Sequence, residues 1–148
     1  MATNLDEKYR TLLILWFGMA ISVVTLFLIT LFVAPERTSA DRDAPTGVVL
    51  FVMAAIGSFM VVVSFAVKRK ILQRSVEMQD VTLVQQALVL GCAMCEVPAL
   101  IGLVERFVIA SGDHYLLFLA SAIGLAIHFP RRDHLLAASW NDETRRQL

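Results

Sequence analysis

The segment VLGCAMCEVPALIGLV, residues Val89–Val104, decides how the rest of the chain is read. It is the heart of an apolar run, Leu83–Ala110, long enough as a helix to cross the ~30 Å hydrocarbon core of a bilayer. Near its middle lies one ionisable carboxyl, Glu96. Such a group is costly at that depth unless paired or neutral, so it marks a functional site by default.

Composition supports the same class. Of 148 residues, 57% are hydrophobic and 18% charged, against about half and a quarter in a soluble domain. The apolar residues gather into runs parted by short polar clusters, the pattern of a polytopic membrane protein whose first partner is the lipid bilayer. Lys+Arg and Asp+Glu are 13 each, and this balance leaves no basic footprint for nucleic acid. Two cysteines inside an apolar helix make no secreted disulfide framework.

Four runs are expected to span, at about 11–34, 46–67, 83–106 and 114–129, with a tail over 130–148, all in one domain. The first exceeds the roughly 7–15 apolar residues of a cleavable signal. Its start also carries Asp6 and Glu7, so it reads as a retained span. Tyr9 and Trp16 fall where an interfacial aromatic belt belongs. Pro35–Pro45 is a loop bracketed by helix-stopping prolines. The second run ends at Lys68-Arg69-Lys70, with Arg74 a turn later, and is expected to stay helical toward Asp80. Glu105-Arg106 reads as a solvated interface pair, and Ser111-Gly112-Asp113 as a tight turn. The fourth run, Tyr115–Phe129, covers only ~23 Å at about 1.5 Å per residue. It crosses if His114 and His128 sit at the two interfaces, or if the bilayer thins. Leu135, Leu136 and Trp140 suit a surface-lying helix in the tail.

Basic residues set the orientation. Lys68, Arg69, Lys70 and Arg74 follow the second run, and Arg131 and Arg132 follow the fourth. The positive-inside bias puts both termini in the cytoplasm of a plasma (inner) membrane protein. The same six residues are candidate contacts for anionic lipid head groups.

On the third helix Gln85, Cys92, Ala99 and Arg106 recur every seven residues, with Cys95, Glu96 and Gly102 beside them. This polar and small stripe is expected to turn into the bundle. Pro98 cannot donate to the Met94 carbonyl, which leaves an acceptor near Glu96. A neutral Glu96 is expected to donate to it, or to Ser58 or Ser121 on another helix. Cys92 and Cys95 have the spacing of a redox pair or half a metal site. The histidines fall at the membrane surfaces, with His128 an interfacial anchor, so the thiols read as packing groups. No metal and no cofactor is expected. No phosphate loop, Ser/His/Asp set or HExxH motif occurs, so the chain does not read as an enzyme.

The run Glu96-Val97-Pro98-Ala99-Leu100-Ile101-Gly102-Leu103-Val104 resembles the outer helix of the ring-forming c subunit (proteolipid) of rotary ATPases. In that family a proton-carrying carboxylate precedes by six residues the glycine of a "YGLV"-like segment. The resemblance implies that Glu96 carries a proton and that Gly102 is the matching glycine. It spans about ten residues; Ile101 stands where the family has tyrosine, and Thr46–Val67 holds only Gly47 and Gly57.

The expected architecture is an all-α integral membrane bundle of four transmembrane helices with short loops and both termini inside. The expected role is a non-enzymatic subunit or helper of a larger membrane complex, binding other subunits or itself. Glu96 then serves as a buried interhelical contact. The alternative is a proton-handling protein with Glu96 as carrier.

Overall fold

A computed structural model describes the backbone of residues 2–33, 46–109 and 114–145, and side chains within 5–33, 47–108 and 114–139. The expected loop at Pro35–Pro45, the turn at Ser111–Asp113 and the Trp140 side chain lie outside these. Among the described residues the chain is all helical: α1 (Ala2–Phe32), α2 (Thr46–Met78), α3 (Val81–Val104), α4 (Tyr115–Ile127) and α5 (Arg132–Arg145). Three helices are long and apolar enough to cross a membrane, within Leu5–Phe32, Gly47–Met78 and Val81–Val108. At 13 residues, α4 is about 20 Å long. It falls short of a bilayer core.

The breakers explain the boundaries. No proline or glycine pair interrupts Thr46–Met78, so α2 runs straight past its basic cluster, as expected from the sequence. Gln79, at φ 53°, then takes the left-handed conformation. The Asp80 amide donates back to the Ser75 carbonyl at 3.1 Å, closing the end of α2. Asp80 also starts α3: its carboxylate accepts from the Thr82 amide at 2.8 Å. Two residues thus turn the chain through a tight antiparallel hairpin.

The bundle is built on α3. It packs along both α1 and α2, which scarcely touch each other, and α4 closes the third side. The contacts follow small residues, which let helix backbones approach closely. An added Cβ at Gly57 would stand 2.9 Å from Leu117 Cδ2, and one at Gly102 would stand 3.1 Å from Phe118 Cε2. The ring of Pro98 packs near Gly57, so the proline sits inside the α2–α3 contact. α1 is fastened to α4 by Phe27 against Phe118, at 5.3 Å between centroids. The Trp16 indole also donates to the Leu125 carbonyl at 2.9 Å. Trp16 is therefore a clip between helices and not simply a belt residue. The outer faces of α1 and α2 stay apolar and uncovered, with Phe17, Ile21, Phe51, Phe59 and Val62 all exposed.

Two expectations are corrected here. Glu105 is not a solvated interface group: it is 3% exposed, within a π-helical turn, Glu105–Ile109, that extends α3. It continues the core stripe Cys95, Pro98 and Gly102 at helical spacing, so the helix carries it inward. Arg106 makes no ion pair with it, and among the described residues its Nε is buried without a partner. His128 is not an interfacial anchor either, being fully buried.

Candidate functional site

The stripe expected on α3 divides in two. Cys92, Cys95, Pro98, Ala99 and Gly102 are buried against neighbouring helices, as expected. Gln85 is exposed and Glu96 only partly buried. Every small position of that stripe is consumed inside the chain, while the mid-span carboxyl stands on a different face. That face also carries exposed Gln86, Val89, Ala93 and Leu100, which recur with Glu96 at three- and four-residue spacing.

Glu96 sits 15 residues from the start and 12 from the end of the Val81–Val108 span, which is about 22 and 18 Å along the axis. Among the described residues it makes no hydrogen bond and no ion pair; the only ion pair is Arg132 with Asp6, at 3.3 Å. The expected bonds from Glu96 to the Met94 carbonyl, Ser58 or Ser121 are not formed. Ser58 is exposed, and Ser121 Oγ is buried without a partner among the described residues. Glu96 lies about 100° around α3 from Cys95, whose thiol meets Gly124 of α4, so it stands off the face turned to α4.

The buried half of the stripe forms a polar cluster that the sequence reading missed in part. Ser64 Oγ donates to the Val61 carbonyl at 2.6 Å and lies 3.4 Å from Cys95 Sγ. The hydroxyl proton is committed to Val61, so Cys95 S–H donates to Ser64 Oγ. His128 Nδ1 lies 2.8 Å from the Gly124 carbonyl, which can only accept, so Nδ1 carries the proton. The 3.8 Å approach of that nitrogen to Cys95 Sγ is therefore not a base facing a thiol. Phe65 flanks the imidazole at 4.9 Å between centroids. Among the described residues Nε2 is buried without a hydrogen bond.

Chemically, this cluster positions helices. A nucleophilic thiol needs a base nitrogen aimed at it and a route for substrate. Here the facing nitrogen is a donor, and Cys95 and His128 are both 0% exposed. An added Cβ at Gly91 would meet the imidazole at 2.5 Å, so the ring fills the space against α3. No group of three or more His, Cys, Asp or Glu side chains converges to hold a metal ion among the described residues. The signal for this cluster was present in the sequence. Gly57, Val61, Ser64 and Lys68 on α2, and Leu117, Ser121, Gly124 and His128 on α4, each recur at three- and four-residue spacing.

The expected basic residues also separate. Arg69, Lys70 and Arg74 are exposed around the end of α2, while Lys68 is partly buried. Arg132 is engaged twice: by Asp6, and by stacking over the Tyr9 ring at 4.7 Å. Arg131 is exposed at the junction of α4 and α5.

Comparison with known protein families, curated proteins and solved structures finds no match.

Proposed function

We propose that this chain is a non-enzymatic subunit or helper of a larger membrane complex. It spans a plasma (inner) membrane four times with both termini in the cytoplasm, the short α4 being accommodated by local thinning. It binds a partner helix across the open face of α3, with Glu96 at the centre of the contact. The observation that carries this reading is Glu96 itself: an ionisable group at mid-span, partly exposed, with no hydrogen-bonding partner among the described residues. A carboxyl turned toward lipid is unfavourable, and a hydroxyl, amide or cation on a neighbouring helix relieves that cost. The adjacent Gln86 and Ala93 add a second polar group and a small residue that lets another backbone approach.

A second reading draws on the same placement. A carboxyl that faces outward at mid-depth is also where a proton carrier meets a neighbouring subunit, as the likeness to the rotary ATPase proteolipid implies. Extraction of the tagged chain from its native membrane in mild detergent separates the two. For a subunit, one defined set of partners co-purifies, Glu96→Gln retains them and Glu96→Leu loses them. For a carrier, the particle is a homo-oligomer, and Glu96→Gln assembles but abolishes proton flux in vesicles. Retention of all partners by Glu96→Leu would remove Glu96 from the contact and overturn the first reading.

A further inference from the structure

At the end of the bundle where α2 carries its basic cluster, Lys68, Arg131 and His134 line one recess, walled by Leu12 of α1, Leu72 of α2 and Leu88 of α3. The three basic side chains, of which Lys68 and Arg131 carry the charge, come from α2, the α4–α5 junction and α5, distant in sequence and brought together by the fold. Lys68 and Arg131 act on each other electrostatically, and both act on His134. Neither Lys68 nor Arg131 has a carboxylate in ion-pair range among the described residues. Asp133 is the acidic group that reaches His134. Like charges held together against leucine walls are unfavourable until an anion joins them.

We propose that the mouth of this recess holds the phosphate of an anionic phospholipid. The recess is partly open and shallow, with a cavity volume of only about 10 Å³, less than a head group fills, so the phosphate sits at the mouth between Lys68 and Arg131. Its acyl chains run along the apolar helices that lead up to it, where exposed Phe129 and Leu136 flank the junction. A lipid meets both requirements, because α2 leaves its apolar run at Lys68, which puts the recess at head-group depth. The other basic residues do not form this site: Arg132 is already paired, and Arg69, Lys70 and Arg74 do not line the recess.

The test is binding of phosphatidylglycerol and phosphatidylcholine to the purified full-length chain in neutral detergent, followed by native mass spectrometry. Wild type is expected to retain phosphatidylglycerol selectively. The pair Lys68→Gln/Arg131→Gln is expected to weaken it about ten-fold or more, as two interfacial cations allow. Lys68→Arg is expected to retain it, and Arg69→Gln/Arg74→Gln to leave it unchanged. Equal loss from the Arg69/Arg74 pair would mean diffuse charge attraction and overturn the site. Equal retention of phosphatidylcholine would do the same. Displacement by inorganic phosphate at matched ionic strength would make it a free-anion site and overturn the lipid assignment. Should the double variant fail to fold, a photoactivatable phosphatidylglycerol on the wild-type chain decides. Labelling of peptides around Lys68 and Arg131 supports the site, and labelling confined to the Arg69–Arg74 face overturns it.

Discussion

Gly91→Ala is the sharpest test of the packing between α3 and α4. A Cβ added at Gly91 would lie 2.5 Å from Cδ2 and 2.9 Å from Nε2 of His128, so one side must move by about 1 Å to reach ordinary van der Waals separation. The imidazole has little freedom to give. Its Nδ1 is bonded to the Gly124 carbonyl at 2.8 Å, and Phe65 flanks it at 4.9 Å. Forcing a side chain into a filled site costs about 1–3 kcal/mol, and loss of the Nδ1 bond adds about 1 kcal/mol. Replacing a mid-helix glycine by alanine returns up to ~1 kcal/mol of helix propensity. The net expectation is destabilisation by about 2 kcal/mol, dominated by the clash. The assay is unfolding in mixed micelles followed by far-UV circular dichroism, run as a double-mutant cycle with His128→Ala. In the His128→Ala background the clash is gone, so Gly91→Ala becomes neutral or mildly stabilising, and the coupling is about 2–3 kcal/mol. Gly18→Ala is the control, since nothing lies within 4 Å of a Cβ there. Equal destabilisation by Gly91→Ala in both backgrounds would refute the reasoning.

Three further outcomes are expected. Trp16→Phe removes the donor to the Leu125 carbonyl but keeps a ring against Phe129; it should cost about 1 kcal/mol in the same unfolding assay. His134, outside the long apolar spans, is pushed below its ordinary value of 6.5 by burial first and then by Lys68 and Arg131. The unfolded chain therefore takes up that proton first, so stability is unaffected above about pH 6.5 and falls as the pH drops below it. His134→Gln should flatten that slope. Asp80 accepts a hydrogen bond from Thr82, which holds its carboxyl below the usual 3.8. Its cap contribution is complete above that value and is lost as the pH falls through the depressed one; Asp80→Asn should keep the cap and remove the pH dependence.

The helical elements were largely legible in the residues. Long uncharged runs impose helices in a chain of this composition, and the absence of a breaker carries α2 beyond Lys68, while the Asp80 cap that starts α3 emerged only in the structure. The small residues of α3 were also legible as contact positions, because Cys92, Cys95, Ala99 and Gly102 share a face at helical spacing and that face is buried. How each helix is rotated against its neighbours emerged from the packed fold. A spacing argument groups residues on a face but does not say what that face meets, and a face turned to lipid is as apolar as one turned to the core. Hence Glu96, one residue from Cys95 on the same helix, points out while the thiol points in. Glu105, three residues beyond Gly102, is carried inward. His128 looked superficial at the end of a short run, yet it is buried because Gly91 leaves room for its ring. Lys68, Arg131 and His134 gather for the same reason: their juxtaposition depends on where α5 folds back over the bundle, which no local pattern encodes.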